Sequence, residues 1–317
     1  MKVRLITPTL SNIRNGNQVT ALRYARILKR LGHQVSIQAR YDGESCDLLI
    51  ALHALKSSDA IRRFREHNPT SPIVVVLTGT DLYKDLKQDG KAMGSLELAS
   101  RLVVLQREGL NELPLRYRPK ARVIYQSADC TRRTPAPPVS YFKACVVGHL
   151  RHEKDPLRTA MAVRGLPQAS RIRVVHIGAA LDEKMERKAL REGRMNPRYR
   201  WLGGLPRWKT LRHIASSHLV AITSKIEGSS NVLSESLACS VPVVASRIPG
   251  LIGTLGPDYP GYFTAGDTSE LTAILARAES DRQFYRELKL ICRRLGSLVR
   301  PEGELAAWRQ LLEEVEQ

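Results

Sequence analysis

The sequence has few aromatic residues, few cysteines and no long apolar segment. Aromatic residues make up 5% of its 317 residues, too few for the stacking surfaces that bind single-stranded nucleic acids. The five cysteines (Cys46, Cys130, Cys145, Cys239 and Cys292) are widely spaced without any Cys-x-x-Cys pair. They are therefore predicted to be reduced packing residues of a cytoplasmic protein, with no disulfide and no metal site. No apolar stretch approaches the roughly 20 residues of a membrane span, so no stable membrane insertion is expected.

Negative charge is also scarce, since 50 Lys and Arg face 31 Asp and Glu and give a net charge of +19. Such an excess is typical of proteins that bind nucleic acid, an anionic membrane surface or small anionic substrates. The basic residues are spread along predicted helices such as Arg23–Arg30 and Lys184–Arg194. A diffuse distribution of this kind disfavours nucleic acid as a partner, although a basic nucleic-acid-binding protein stays open as an alternative of another class.

Short β-rich runs alternate with amphipathic helical segments along the chain. This alternation is typical of an α/β protein with parallel sheets covered by helices on both faces. The length and the 43% hydrophobic content suit two doubly wound domains of about 150 residues each. The predicted strands are Val3–Thr7, Gln34–Ile37, Leu48–Leu52, Ile73–Leu77, Leu102–Leu105 and Arg122–Tyr125, then Lys143–Val147, Arg173–Ile177, Tyr199–Leu202, Leu219–Thr223 and Pro242–Ser246.

The proline-rich segment Thr131–Val139 separates these two series of strands. Proline continues neither a helix nor an inner strand, so the segment is predicted to be the linker between a first domain over 1–135 and a second over 140–290. The tail from Thr268 onward has a helical pattern interrupted at Pro301. In doubly wound sheets ligands bind at the carboxyl ends of the strands, so a cleft between two such ends is the expected site.

The segment Ser224–Ser246 places two carboxylates, Glu227 and Glu235, around a run of small residues. Ser229, Ser230 or Asn231 can cap a helix, and the amides of its first turn can bind a phosphate or a sugar oxygen. A carboxylate at Glu235 can accept hydrogen bonds from both ribose hydroxyls, and one at Glu227 can accept them from sugar hydroxyls. The pattern therefore indicates a nucleotide-sugar site made from Glu227, Gly228, Ser229, Ser230, Asn231, Val232 and Glu235.

This segment resembles the Glu-x7-Glu motif of the retaining glycosyltransferases of family 4. The resemblance implies the GT-B fold, in which two Rossmann-like domains face a central cleft. It also implies that the first domain is the acceptor side, that the second binds the nucleotide sugar, and that the last helix, within 291–317, crosses back to the first domain.

A second motif, Val146–Pro156, leaves a predicted strand and turns toward a helix. It is similar to the family pattern Gly-Arg-Leu-x-x-Glu-Lys, in which the Arg and the Lys contact the donor diphosphate. Gly148 and Lys154 match that pattern, and His149 stands where the family has the Arg. Arg151 is predicted to supply the missing charge, because a departing diphosphate needs cations nearby.

The acceptor side departs from the family pattern at two loops. In the first, Gly16 and Asn17 stand where relatives often have two glycines, and Asn15 adds a further amide. An Asn-Gly pair is also an ordinary turn signal.

The second loop, Thr78–Tyr83, offers Thr78, Gly79, Thr80 and Asp81 where many relatives have a histidine near the reacting sugar carbon. An acceptor that arrives already ionised needs no catalytic base, so this departure favours such an acceptor. Asp81 is a candidate catalytic residue, with capping of the next helix as the alternative.

Taken together, the motifs resemble a compact branch of the family that makes selenosugars in selenoneine biosynthesis. That resemblance implies UDP-N-acetylglucosamine or UDP-glucose as co-substrate and a small anionic acceptor, selenophosphate. No cofactor and no metal are implied, and homo-oligomerisation is left open. The main alternative is a family-4 enzyme that acts on a lipid or polysaccharide acceptor and docks on an anionic membrane through its basic surface.

Overall fold

The computed structural model describes residues 1–8, 16–130 and 135–316. The chain divides into two compact units. Unit 1 consists of Met1–Gln126, Glu227–Ser229 and Pro301–Gln317, and unit 2 consists of Ser127–Ile226 and Ser230–Arg300. Each unit is thus assembled from segments that are far apart in the sequence.

Unit 1 is built on a six-stranded parallel sheet in the order β2-β1-β3-β4-β5-β6. The inner strands β3 and β4 are buried along their whole length because every residue in them is apolar, as strands covered on both faces require. The strands are β1 (Lys2–Ile6), β2 (Gln34–Gln38), β3 (Leu48–Leu52), β4 (Ile73–Leu77), β5 (Arg101–Val104) and β6 (Ala121–Val123). The helices between them are α1 (Gly16–Arg30), α2 (Ser58–His67), α3 (Thr80–Tyr83) and α4 (Gly90–Leu98).

Unit 2 contains a second six-stranded parallel sheet in the order β12-β11-β10-β7-β8-β9. Its strands are β7 (Phe142–Val147), β8 (Ile172–Ile177), β9 (Tyr199–Trp201), β10 (Leu219–Ile222), β11 (Val243–Ser246) and β12 (Tyr262–Phe263). Its helices are α5 (Arg158–Arg164), α6 (Glu183–Met195), α7 (Arg207–Ala215), α8 (Asn231–Ala238), α9 (Pro249–Leu255), α10 (Thr268–Ser280) and α11 (Arg282–Leu295). The fold class is therefore the α/β class predicted from the sequence.

A last helix, α12 (Pro301–Glu316), packs in unit 1 and completes its core. Trp308 is fully buried against Tyr24 of α1, with ring centroids 4.6 Å apart at an interplanar angle of 63°. Beside this aromatic pair, Glu304 forms a buried ion pair with Arg23 at 3.1 Å. Because a buried charge is costly without a partner, the pair fixes how the helix lies on α1.

The prediction that all five cysteines are reduced is wrong for two of them. Cys130 and Cys239 of unit 2 form a disulfide with their Cα atoms 5.0 Å apart. The pair was not predictable from the sequence, because the fold brings together two positions that are 109 apart in the chain. Cys46, Cys145 and Cys292 are free and buried. Among the described residues, no helix is both long and apolar enough to span a membrane.

Candidate active site

A tight turn follows β7 at the carboxyl end of the unit 2 sheet. The Gly148 amide donates to the Ile177 carbonyl at 2.9 Å, and the Leu150 amide donates to the Ala179 carbonyl at 3.0 Å. A Cβ atom at Gly178 would collide with the carbonyl of Gly148, so only glycine fits there. The turn is therefore held directly against the end of the neighbouring strand.

A buried histidine forms a hydrogen bond with the same turn. His176 Nε2 lies 3.0 Å from the Gly148 carbonyl oxygen, and its Nδ1 lies 2.8 Å from the Tyr199 hydroxyl. A carbonyl only accepts, so Nε2 carries the proton and Nδ1 accepts from Tyr199. Burial lowers the pKa of His176 to about 4, which keeps the ring neutral in this arrangement.

His149 occupies the position where the family resemblance has an arginine. Its Nδ1 accepts a hydrogen bond from the Ala179 amide at 3.1 Å, so the ring is oriented by the end of β8. A ring whose Nδ1 accepts a hydrogen bond is neutral and does not supply the positive charge of a guanidinium. The local positive charge must therefore come mainly from other residues.

Lys154 ends the 3-10 turn His152–Lys154, and its side chain runs alongside Gly148. A Cβ atom built on Gly148 would lie 3.8 Å from Lys154 Cγ, an ordinary van der Waals contact. The Lys154 carbonyl accepts from the Thr223 hydroxyl at 3.0 Å, which joins the turn to the end of β10. The structure thus places the Lys154 side chain beside Gly148, six positions earlier in the sequence.

Arg151 lies on the same loop but is more exposed. Its Nε is 3.6 Å from a carboxylate oxygen of Glu153, and the two side chains are 42% and 39% exposed. An ion pair this exposed is weak and easily rearranged. The Glu153 carboxylate therefore holds Arg151 only weakly.

Helix α8 begins after the small residues of the Glu-x7-Glu segment, as the sequence predicted. Ser230 is its N-cap, and the Ser230 hydroxyl accepts from the Leu233 amide at 3.4 Å. Asn231 and Val232 are half-buried residues of the first turn. The carboxylate at Glu235 is 6% exposed and lies one turn further along the helix.

The partner of Glu235 was not predictable from the sequence. Arg207, the first residue of α7, places Nη1 2.5 Å from Glu235 Oε1. The Arg207 side chain is 36% exposed, whereas that of Glu235 is 7% exposed. A charge-assisted hydrogen bond from a guanidinium fixes one oxygen of the carboxylate in direction.

In unit 1, Asp81 serves the backbone of the loop that follows β4. It is fully buried and accepts from the amides of Thr78 at 2.9 Å, Gly79 at 2.8 Å and Ala54 at 3.0 Å. The Thr78 hydroxyl also donates to it at 3.3 Å. These contacts fix the Thr78–Asp81 loop. They are not the capping of the next helix that was the alternative to catalysis, since the N-cap of α3 is Gly79 and has no side-chain cap.

The segment Glu227–Ser229 packs on this loop within unit 1. Gly79 has φ +147°, and a Cβ atom on it would lie 2.8 Å from the Gly228 amide nitrogen. Buried Gln106 donates to the Gly228 carbonyl at 3.2 Å. Glu227 is 9% exposed and Ser229 is half-buried. Two predicted site segments, Glu227–Ser229 and Thr78–Gly79, are therefore neighbours.

Sequence reasoning missed a histidine beside this loop. His53 follows β3 directly and places Nε2 2.9 Å from the Thr80 hydroxyl oxygen. The signal that could have found it is its position at the carboxyl end of a fully apolar strand, next to the loop after β4. Of the other predicted acceptor-side residues, Gly16 and Asn17 begin α1, and Asn15 lies outside the described residues.

Among the described residues, no cluster of three or more His, Cys, Asp and Glu side chains could hold a metal ion. The groups described above are cations, carboxylates, backbone amides and hydroxyls, which can bind a charged, hydroxyl-rich ligand.

Solved structures of low sequence identity share the whole fold. Anabaena HepE, in complex with UDP and glucose, is 17% identical with a TM-score of 0.77, covering 100% of this chain and 99% of that one. Sucrose-phosphate synthase from Thermosynechococcus elongatus is 15% identical with a TM-score of 0.81, covering 99% and 98%. The pneumococcal O-GlcNAc transferase GtfA, in complex with UDP and GlcNAc, is 14% identical with a TM-score of 0.67, covering 94% and 60%.

These similarities establish the fold as GT-B. A comparison with curated protein sequences gives no match. The family described as glycosyl transferases group 1 matches residues 130–292, just over half of the chain. This chain therefore belongs to the glycosyl transferases group 1 family.

Proposed function

We propose that the protein transfers a sugar from UDP-N-acetylglucosamine or UDP-glucose to selenophosphate, as a family-4 enzyme of selenoneine biosynthesis. Family membership supports the transfer of a sugar. The complexes of HepE with UDP and glucose and of GtfA with UDP and GlcNAc support a UDP-sugar as donor. The proposal of a selenium acceptor depends on the resemblance of three sequence segments: Gly16–Ala25, Leu77–Tyr83 and Val147–Pro156.

The observation that carries this proposal is the position of the Lys154 side chain beside Gly148 at the end of β7. A glycine turn lets a phosphate approach the backbone closely, and a lysine beside it supplies positive charge at the same place. When the bond between the sugar and UDP breaks, negative charge grows on the diphosphate. Lys154, with Arg151 turning from Glu153, would stabilise that charge, and Gly148 and His149 would line the diphosphate.

The ribose would bind at Glu235. Its Oε1 accepts from Arg207 at 2.5 Å, and a carboxylate has enough lone pairs to accept from the ribose hydroxyls as well. The sugar would be oriented by Glu227 and by the backbone amides from Gly228 to Asn231, with Val232 closing the first turn of α8. These groups bind hydroxyls and partial negative charge, which a nucleotide sugar presents together.

The acceptor would bind through Gly16, Asn17 and Asn15 and through Thr78, Gly79 and Thr80. Asp81 takes part by holding the second loop, since its carboxylate receives three backbone amides. In the reaction, a selenium lone pair of selenophosphate forms a bond to the anomeric carbon. The bond from that carbon to the UDP oxygen breaks and UDP leaves. Water then cleaves the phosphorus-selenium bond and releases phosphate. The acceptor is already anionic, so the first step needs no base.

The test is to incubate the protein with several UDP-sugars, with and without selenophosphate, and to identify the products by mass. We expect UDP and a selenium-containing sugar that form together only when both substrates are present. Transfer to a lipid or oligosaccharide with none to selenophosphate would overturn the proposed acceptor and leave the family assignment intact.

A further inference from the structure

His53 has a backbone conformation that side chains other than glycine seldom adopt. Its φ is +74°, in the left-handed region. The strain is maintained by hydrogen bonds on both sides, from the His53 amide to the Val76 carbonyl at 2.9 Å and from the Ser57 amide to the His53 carbonyl at 3.1 Å. Conformations of this kind persist where the surrounding structure requires them, and they occur often at functional sites.

The strained backbone turns the imidazole ring toward the loop after β4. His53 is 2% exposed. Its Nδ1 lies 3.3 Å from the Lys56 amide nitrogen, which can only donate, so Nδ1 is the acceptor. Nε2 therefore carries the proton and donates to the Thr80 hydroxyl oxygen at 2.9 Å. Asp85 lies 3.7 Å from Nε2, beyond hydrogen-bond distance.

This tautomer determines the direction of the Thr80 hydroxyl proton. Because the Thr80 oxygen accepts from His53, its own O–H must donate elsewhere. Within the described residues, the His53 ring is the hydrogen-bond partner that the structure shows for this hydroxyl. The nearby Thr78 hydroxyl behaves differently, since it donates to the Asp81 carboxylate at 3.3 Å. Of the two threonines, Thr80 is thus the one with a proton to offer to a ligand.

We propose that His53 is a positioning residue that aims the Thr80 hydroxyl at an anionic oxygen of the acceptor. Thr80 is half-buried at the start of α3, whereas His53 is buried beneath it. Thr80 therefore contacts the acceptor and His53 acts through it. This assignment rests on the proposed function, which makes the acceptor a small phosphate-like anion, and it names one group of the protein that recognises it.

The test uses thiophosphate, a stable analogue of the acceptor, and measures its binding by calorimetry at saturating UDP. Thr80→Val keeps the shape of the side chain and removes the hydroxyl, while Thr80→Ser keeps the hydroxyl. We expect Thr80→Val to raise the Kd for thiophosphate about 10-fold, since a hydrogen bond to a charged group contributes more than a neutral one. Thr80→Ser should bind nearly as the wild type does, and neither variant should change the Kd for UDP.

Two variants separate the ring from the backbone that carries it. His53→Asn tolerates a positive φ and offers an oxygen to the Lys56 amide, but it is too short to reach Thr80. His53→Gln places an amide N–H near the position of Nε2. We expect His53→Asn to weaken thiophosphate about 5-fold and to raise the acceptor KM with little change in kcat. His53→Gln should recover part of that loss.

Unchanged thiophosphate binding in Thr80→Val would overturn the inference even if the enzyme were active. An equal loss in Thr80→Val and Thr80→Ser would do the same, because it would indicate a packing effect. The wild-type protein is tested first. If it neither binds thiophosphate nor transfers sugar to selenophosphate, the proposed acceptor is wrong, which is a different outcome from a failure of the inference about His53 and Thr80.

Discussion

The backbones of Gly79 and Gly228 are in direct contact in unit 1. A Cβ atom on Gly79 would lie 2.8 Å from the Gly228 amide nitrogen, and one on Gly228 would lie 2.7 Å from the Gly79 amide nitrogen. Neither glycine can be replaced without moving a backbone. This contact places the residue after Glu227 on the loop that ends at Asp81, so the geometry of both segments depends on it.

Gly228→Ala should therefore weaken both stability and activity. The added methyl group meets backbone atoms that have no space to move, and overpacking of this kind costs about 1–3 kcal/mol. Gly193→Ala is the matched control, since no atom lies within 4 Å of a Cβ there and the residue is in the last turn of α6. It should stabilise by about 0.5–1 kcal/mol through helix propensity. Chemical denaturation measures both, and equal effects would contradict the packing argument.

Lys154→Ala should reduce kcat by about 100-fold to 1,000-fold, because Lys154 stabilises charge that develops only as the diphosphate leaves. Its effect on the Kd for UDP should be much smaller than its effect on kcat. Lys184→Ala, which removes an exposed lysine of α6, is the control and should leave turnover unchanged. Steady-state kinetics with UDP-sugar provide the measurement. A near-normal kcat in Lys154→Ala would remove this residue from the chemistry.

Arg207 and Glu235 should be energetically coupled in nucleotide binding. Glu235→Ala should weaken UDP binding strongly, since it removes the carboxylate that accepts hydrogen bonds from the ribose. Arg207→Ala should weaken UDP binding about 5-fold, because the Glu235 carboxylate is then no longer held in place. In the double variant the two losses should not add. The exposed pair Arg187 and Glu183 is the control, because such a pair contributes little. Fully additive losses at Arg207 and Glu235, measured as Kd for UDP, would contradict the coupling.

The buried His176 should make the protein less stable in acid. Its pKa is lowered by burial to about 4 from an ordinary 6.5, so the unfolded chain binds a proton over that interval that the folded protein does not. The free energy of unfolding should therefore fall as the pH drops from about 6.5 to about 4, by about 3 kcal/mol in total.

His176→Gln retains a donor for the Gly148 carbonyl and has no group that titrates in this range. Its unfolding free energy should depend less steeply on pH than that of the wild type, as urea titrations at a series of pH values will measure. Identical slopes for the two proteins would show that His176 is not the group responsible.

The disulfide between Cys130 and Cys239 should contribute to the stability of unit 2. It closes a loop of 109 residues, and in the chain-entropy description a loop of this size restricts the unfolded state by about 4–5 kcal/mol. A reducing agent should lower the Tm of the wild type and leave that of a Cys130→Ser, Cys239→Ser variant unchanged. Thiol titration of the denatured wild type should find three reactive groups before reduction and five after it. Five groups before reduction would refute the disulfide.

Most strands were predictable from the sequence because buried parallel strands are continuous apolar runs. Leu48–Leu52 and Ile73–Leu77 match the observed β3 and β4 at both ends. A helix cap at or beside Ser230 was also predictable from local sequence, because a serine before a helix can accept a hydrogen bond from an amide of its first turn. The short strand Tyr262–Phe263 was missed, because two residues show no periodicity.

What the sequence could not show are pairings between distant segments. Arg207 meets Glu235 from another helix, Cys130 meets Cys239 across the whole of unit 2, and His53 reaches Thr80 from a different strand. Each pairing depends on the order of strands in a sheet. Asp81 is a different case. Its sequence position allowed either catalysis or helix capping, and only the structure shows that its buried carboxylate accepts from backbone amides.

The burial of Tyr24 against Trp308 also governs when unit 1 can be completed during synthesis. Tyr24 emerges from the ribosome before unit 2 is made, but the helix that covers it is made after unit 2. Until then the growing chain exposes the apolar face of α1 and leaves Arg23 without Glu304, its ion-pair partner. Unit 2, in contrast, is translated completely before that helix. It can therefore finish folding while unit 1 still lacks α12.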